Sequence, residues 1–277
     1  MMSTLESTTT QAPPRAARGG APAVTEWRVM RSEWIKLRTV RSTVVALAGA
    51  ALAMLGLGVL FSVFADSGDG SGPGDGGDAL ATSLNGMLLA QLIVGVLGVL
   101  FVSSEYSSGM IRATLAAVRS RTSVLRAKTA TLAGALFVSM GVASVASFLI
   151  GSAVYGGAGA TYSLSEPAVL LAVLGGGLYA AGIGALGVAF GFLLRSAAGA
   201  IGVLVALLLV APLMVQLIPG SIGEWITKLL PGNAGQAIMH VQTQADLLSP
   251  GIGLAVFAAW IAAALVAAAI MLRRRDA

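Results

Sequence analysis

The sequence contains no cysteine and few charged residues. The absence of cysteine excludes disulfides, cysteine-based zinc sites, thiol catalysis and S-acylation. Asp, Glu, Lys and Arg make up only 10% of the 277 residues, whereas about 25% is usual in a soluble domain. Hydrophobic residues make up 56%. This composition is typical of an integral membrane protein.

Lysine and histidine are also scarce, which excludes several kinds of active site. A P-loop needs a lysine directly after a glycine to hold phosphates, but Lys36, Lys128 and Lys228 all follow other residues. His240 is the one histidine, and a metalloenzyme would need more ligands. The chain is therefore predicted not to be an enzyme, and to bind no metal or cofactor itself.

Six apolar runs are long enough to cross a bilayer, which takes about 20 helical residues. None contains Asp, Glu, Lys, Arg or His, and their approximate bounds are Thr43–Ala65, Leu84–Val102, Thr129–Ala153, Ala168–Leu194, Ser196–Leu217 and Ile252–Leu272. Arg195 separates the fourth run from the fifth and predicts a tight turn at the surface. Pro212 predicts a kink in the fifth span. The predicted fold is an all-α membrane protein with six transmembrane helices.

The distribution of charge predicts the orientation. If the N-terminus is inside, all but one of the 17 lysines and arginines lie on that side, and Lys228 alone lies outside. Positive residues favour the cytoplasmic side, so we expect a multi-pass plasma-membrane protein with both termini in the cytoplasm. Because the basic residues border apolar runs, the net charge of +5 does not indicate nucleic acid binding.

The N-terminal region divides into two parts ahead of the spans. Residues 1–25 have no apolar run and predict a disordered cytoplasmic tail. Residues 26–42 predict an amphipathic basic helix in the headgroup plane, although a plain flanking segment remains possible. Its apolar stripe consists of Trp27, Met30, Trp34 and Leu37. The membrane domain then covers 43–272, and 273–277 form a basic C-terminus.

The segment Ser103–Lys128 is the longest charged stretch between two apolar runs. Ile111, Leu115 and Val118 have helical spacing, and arginines surround them. This pattern predicts a short amphipathic helix in a cytoplasmic loop. Such a helix either inserts into a groove on a partner protein or lies flat on lipid.

Two outer segments also carry recognisable patterns. Asp66–Asp78 is rich in Gly and Asp but lacks the ligand spacing of an EF-hand, which favours a flexible linker. In Ile218–Pro250, Ser221 and Glu224 have capping-box spacing and predict a short helix that Pro231 ends. Val241–Leu248 predicts a second short element. We therefore expect a structured outer segment before the last span.

The glycines of the fourth span predict close helix packing. Gly187 and Gly191 form a GxxxG pattern, and small residues let helices approach closely in lipid.

Three stretches resemble one known family. They are SEWIKLRTVRST at Ser32–Thr43, EYSSGMIRATLAAV at Glu105–Val118 and LPGNAGQAI at Leu230–Ile238. The chain is similar to an ABC-2 type permease, the membrane subunit of an ATP-binding-cassette exporter, in its actinobacterial form. The resemblance covers about Glu26 to Arg275.

The resemblance implies roles and partners. Residues 26–42 would be the elbow helix, and the 104–121 loop would hold a coupling helix that docks on a separate ATP-binding subunit, where ATP and Mg bind. The implied coupling residues are Glu105, Gly109, Met110, Ile111, Arg112, Leu115, Arg119 and Arg121. The chain would pair with a second copy or a related permease, in contact with membrane lipids. Candidate path-lining residues are Asn85, Gln91 and Gln216, for which helix–helix hydrogen bonding is the alternative.

Other functions stay open. An ion-coupled secondary transporter usually needs ionisable groups in its spans, and these spans have none. An intramembrane serine enzyme would need His or Lys in a span. A non-transporting membrane scaffold could share the same fold.

Overall fold

The computed structural model describes residues 26–66, 79–111, 114, 120–154, 162–241, 244 and 246–274. Of these, 88% are helical, and no strand occurs among them. The predictions for 1–25 and 275–277, and the Gly/Asp-rich linker beyond Asp66, lie outside the described residues. The all-α prediction is confirmed.

Six stretches of the described chain are long and apolar enough to cross a membrane, as predicted. A short helix α1 (Glu26–Thr39) precedes α2 (Arg41–Asp66), and α3 (Ala79–Leu84) leads into α4 (Met87–Ser107). The third and fourth spans are α5 (Arg121–Val154) and α6 (Pro167–Leu194). The remaining elements are α7 (Ala197–Val205), a π-helical turn (Ala206–Val210), α8 (Ala211–Val215), α9 (Ser221–Leu229), α10 (Pro231–Gln236), a 3-10 turn (Ala237–Met239) and α11 (Pro250–Arg274).

The centre of the bundle is the contact between α4 and α6, where small residues face each other. A Cβ at Gly98 would overlap the Gly184 carbonyl oxygen, and a Cβ at Gly187 would overlap that of Gly95. A Cβ at Gly191 would lie 3.0 Å from the Cβ of Val102. Only glycine permits this distance, so the predicted close packing occurs within the subunit.

The charged segment between the second and third spans is more helical than predicted. Helix α4 continues to Ser107, and α5 begins at Arg121 rather than at Thr129. At about 1.5 Å per residue, the 34 residues of α5 extend about 51 Å, well beyond a bilayer core of about 30 Å. The prediction of a loop over Ser103–Lys128 was therefore too long at both ends, because the helices continue past the apolar core.

Several segments meet at one end of the bundle, which we call the basic end. It comprises α1, the end of α4, the start of α5, Arg195 and the end of α11. The Arg195 guanidinium carbon lies 5.5 Å from the ring centroid of Tyr106 on α4, and Arg121 donates to the Leu272 carbonyl oxygen at 3.3 Å. Arg195 forms the left-handed turn after α6, with φ of 52°. The turn predicted at Arg195 is confirmed.

The fifth span is interrupted just before Pro212. The π-helical turn Ala206–Val210 precedes α8, and Pro212 lies in the first turn of α8. Proline has no N–H for the helix ladder, and π-helix occurs mostly as a single-turn bulge inside an α-helix, as it does here.

The segment before the last span is structured, but its details differ from the prediction. Gly220, with φ of 87°, precedes α9, and Ser221 is the first helical residue with no side-chain cap in place. The capping box was therefore wrong. Pro231 begins α10 instead of only ending α9. The described residues of 241–248 form no helix, so the second short element lies earlier than predicted.

Candidate functional site

Four charged side chains meet at the basic end, and we call them the clasp: Glu33, Lys36, Glu105 and Lys128. Three of them are buried, and Lys36 is partly exposed. The Lys128 Nζ lies 2.7 Å from Glu33 Oε2 and 2.8 Å from Glu105 Oε1. The Lys36 Nζ lies 2.9 Å from Glu33 Oε1 and 2.9 Å from Glu105 Oε1. Each lysine therefore joins both carboxylates, and the clasp has no net charge.

Three helices contribute to the clasp. Helix α1 buries one face through Val29, Glu33 and Leu37, which recur at every fourth position. Glu105 lies in the last turns of α4, and Lys128 lies two turns into α5. The clasp therefore fastens α1 to both helices that flank the 104–121 loop.

Burial makes the clasp energetically demanding. Glu33 and Lys128 are each 1% exposed. Removing one partner from such a pair leaves an uncompensated buried charge, which costs about 3 to 5 kcal/mol. The Lys128 Nζ also lies 4.6 Å from the ring centroid of Phe101, one turn before Glu105 on α4. The position of each helix is thus tied to that of the other two.

Lys36 is the most accessible member, since a third of its side chain is exposed. Desolvation acts to lower the pKa of Lys36, but the hydrogen bonds to Glu33 and Glu105 outweigh it and raise the pKa above its usual value. Lys36 therefore stays charged throughout the physiological pH range.

Glu105 was predicted as a coupling residue, and the structure buries its carboxylate between two lysines. A direct contact of this carboxylate with a partner protein would require the clasp to open. Its position at the base of the loop instead suits a residue that orients the loop. Its role in coupling stays a prediction.

The other predicted coupling residues divide into three groups. Arg112, Leu115 and Arg119 lie outside the described residues. Gly109 has φ of 71°, which only glycine adopts readily, and it follows the end of α4. Ile111 is 3% exposed and packs in the core, whereas Met110 is 44% exposed. Met110 is therefore the apolar side chain of this described part that a partner could reach.

Arg121 takes part in helix packing at the same end. It begins α5 and donates to a carbonyl in the last turn of α11. A basic side chain here satisfies a carbonyl that has no partner within its own helix. A structural contact therefore accounts for this residue, and coupling stays a prediction.

The predicted apolar stripe of α1 points partly away from the protein. Trp27 is 71% exposed and Trp34 is also exposed, Met30 is half-buried, and Leu37 is buried. Two exposed tryptophans next to basic residues suit the interface between lipid and water.

The three candidate path-lining residues differ in how exposed their side chains are. Gln91 is buried and accepts a hydrogen bond from the Tyr179 hydroxyl of α6, and its own amide donates to the Leu88 carbonyl at 3.1 Å. Asn85 is half-buried and Gln216 is exposed. The hydrogen bond between Gln91 and Tyr179 is of the helix–helix kind that was the alternative to lining a path. A path-lining role stays a prediction for all three residues.

Sequence reasoning missed the clasp as a unit. The predicted apolar stripe of α1 does not include Lys36, and the predicted loop segment Ser103–Lys128 ends at Lys128. The pattern that could have revealed it is the spacing of Val29, Glu33 and Leu37, which puts a carboxylate in the middle of an apolar face.

The sequence matches one known family. A family model described as ABC-2 family transporter protein matches residues 29–212, more than half of the 277 residues. The match includes all four clasp residues. No curated protein matches the chain. A permease of this family is the translocation component, and a separate subunit hydrolyses ATP. The chain belongs to the ABC-2 transporter family and is the permease of an ABC transporter.

Proposed function

We propose that this permease belongs to an exporter and couples to its ATP-binding subunit through the 104–121 loop. The observation that carries the proposal is the clasp, because it fixes the base of that loop against α1 and α5. A loop held in this way can transmit a push from a docked subunit into three helices at once. Met110 and Gly109 lie next to this base, with Met110 exposed for contact.

The proposal includes an orientation in which the basic end faces the cytoplasm. Apart from Lys228 on α9, the described lysines and arginines belong to segments that meet at the basic end or, for Arg41, begin α2 directly after α1. Positive residues favour the cytoplasmic side. The ATP-binding subunit, with its ATP and Mg, would then dock where the loop lies. Helix α1 would act as the elbow helix, with Trp27 and Trp34 in the headgroup region.

A translocation path would form between two permeases. Exposed apolar side chains lie on several spans, including Leu88 and Leu89 on α4. In a membrane these surfaces face either lipid or a second copy. A homodimer is the simplest assembly, and Gln216 is an exposed polar residue that could lie beside such a path.

Co-purification tests the docking surface. Tagged full-length permease is extracted in mild detergent from its native membrane, and associated proteins are identified and quantified by mass spectrometry. We expect an ATP-binding subunit at near-equal stoichiometry, which Met110→Asp removes. Ser165→Asp adds a carboxylate at an exposed position far along the chain, before α6, and serves as the control. Loss of the subunit in both variants, or in neither, would exclude docking at Met110.

A second experiment separates binding from coupling. Gly109→Ala strains a left-handed position by about 1 to 2 kcal/mol, and Arg112→Ala removes a charge from the predicted coupling helix. We expect both variants to insert and bind the ATP-binding subunit but to show altered ATPase activity in the reconstituted complex. Gly134→Ala, at a helical position with open space around it, is the control. Activity equal to wild type in Gly109→Ala and Arg112→Ala would remove the coupling assignment.

A further inference from the structure

A buried polar side chain in the middle of α6, Tyr179, belongs neither to the clasp nor to the proposed coupling loop. It is 0% exposed and lies about 18 Å along the helix from the start of α6 at Pro167. Its hydroxyl donates to Gln91 Oε1 on α4 and forms a second hydrogen bond with the side chain of Gln236. Since a hydroxyl has one hydrogen to donate, it accepts the second bond. We call these three side chains the tyrosine junction.

The ring of Tyr179 also contacts two elements from the C-terminal part of the chain. A Cβ at Gly235 on α10 would lie 2.5 Å from two carbons of this ring, so glycine is required for α10 to pack here. On the side of α11, the ring centroid of Phe257 lies 5.4 Å from that of Tyr179. Through hydroxyl and ring together, Tyr179 holds α10 and α11 against α4 and α6.

Helix α10 depends on such contacts for its position. It has six residues and no side-chain cap, and the 3-10 turn Ala237–Met239 follows it directly. Helices shorter than about 12 residues are marginal on their own. The packing of α10 on α11 is close as well, since a Cβ at Gly253 would lie 2.6 Å from the Ala234 carbonyl oxygen. Tertiary contacts, with Tyr179 at their centre, therefore determine where α10 lies.

Helix α10 separates the tyrosine junction from an open pocket. Asn233 lines this pocket of about 640 Å³ together with Gln216 and Lys228, whereas Gly235 and Gln236 contact the junction. If α10 moved away, the polar groups of the junction would lose partners inside the membrane, which is unfavourable unless water replaces them. Non-helical backbone at this depth also has to be covered by protein or water. Movement of α10 therefore requires water to enter from the pocket.

We propose that Tyr179 is a positioning residue that holds α10 closed at the end of the bundle opposite the basic end. Access to the bundle from the pocket then requires both hydrogen bonds of the Tyr179 hydroxyl to break. This role goes beyond the proposed coupling, because it concerns the other end of the molecule and does not depend on where the ATP-binding subunit docks.

Thiol labelling of the purified full-length permease in lipid nanodiscs tests the role. The natural chain has no cysteine, so Met239→Cys places a single thiol at a buried position directly after α10. Tyr179→Phe keeps the ring and removes the hydroxyl. We expect it to raise the rate of reaction with a hydrophilic maleimide about tenfold, as for the loss of one buried hydrogen bond. Tyr106→Phe, which removes a hydroxyl at the basic end, leaves the rate unchanged.

A second reporter separates movement of α10 from general loosening. Met140→Cys places the thiol at a buried position of α5, and its labelling should stay at background in Tyr179→Phe. Equal acceleration at both reporters, or none at Met239→Cys, would overturn the proposal.

A double variant tests whether the hydroxyl acts through Gln236. Gln236→Leu should accelerate labelling of Met239→Cys as much as Tyr179→Phe, and the two together no further, because both remove the same hydrogen bond. Independent, multiplying effects would assign both residues to general packing and would overturn the positioning role. If Tyr179→Phe does not fold, Gln236→Leu makes the same comparison between the two reporters from a half-buried position.

Discussion

Lys128 is held by two carboxylates and an aromatic ring, and its charge is balanced only inside the clasp. A lysine beside Glu33 and Glu105 offsets the cost of burying both carboxylates. The charge required at each position of the clasp therefore depends on the charges of the other three side chains, and not on where the residue lies along its helix.

We expect Lys128→Met to lower the free energy of unfolding by about 3 to 5 kcal/mol, because it leaves a net negative charge buried. Lys128→Met combined with Glu33→Gln should recover most of this loss, since Lys36 and Glu105 then form a neutral pair. Thermal unfolding of the purified protein measures both effects. The control is Arg126→Met on the same helix, where the side chain is 67% exposed and pairs with an exposed Glu26.

An exposed pair contributes at most about 1 kcal/mol. If Lys128→Met costs no more than Arg126→Met, the buried clasp does not contribute to stability as proposed.

The pKa of Lys36 predicts how stability changes at high pH. Its folded-state pKa is raised above the usual 10.5, so the contribution is full below pH 10.5 and is lost as the pH rises through the folded pKa. Lys36→Arg stays charged in this range. In alkaline unfolding curves, we expect the wild type to lose stability more steeply than Lys36→Arg. Parallel curves would indicate that the charge of Lys36 contributes nothing to folding.

At the level of elements, α4 and α6 can lie this close together because the residues that face each other at their contact are glycines. Gly98→Ala would place a methyl group against the Gly184 carbonyl, while Gly134→Ala on α5 meets open space. We expect Gly98→Ala to destabilise the protein by about 1 to 3 kcal/mol through overpacking. Gly134→Ala should be neutral or stabilising, because alanine favours helix by about 1 kcal/mol. Thermal unfolding of the two variants compares them directly, and equal melting temperatures would exclude a tight contact at Gly98.

The helices were predictable because apolar runs of this length have few alternatives in a membrane. All six spans and the turn at Arg195 follow from the sequence. Helix ends were less accurate, since α4 and α5 continue into charged residues that no longer interrupt a helix once they leave the bilayer.

The clasp could not be predicted from local patterns, for a physical reason. In a soluble protein the most apolar face of a helix packs inward, but lipid is as apolar as a protein core. The stripe with Trp27 and Trp34 is therefore exposed, while the face with Glu33 packs inward. Only the positions of α4 and α5 show that Glu33 has lysine partners.

At the level of the whole molecule, orientation is the property that the proposed coupling most depends on. Because the natural chain has no cysteine, a single introduced thiol reports its own side of the membrane. We expect Glu224→Cys on α9 to react with a membrane-impermeant maleimide added to intact cells, and Arg28→Cys on α1 to react only after the cells are opened. The reverse pattern would place the basic end outside and exclude an ATP-binding subunit there.

The clasp also has a consequence for biogenesis. Glu33 leaves the ribosome long before its partner Lys128, which follows 95 residues later. Until then its carboxylate has no lysine on α5, so we expect α1 to stay at the aqueous surface while α2 and α4 insert. We expect the arrival of the third span to bring α1 into its final position. A nascent chain whose third span inserts in the wrong register would leave buried charges without partners, and quality-control proteases could distinguish it from a finished permease.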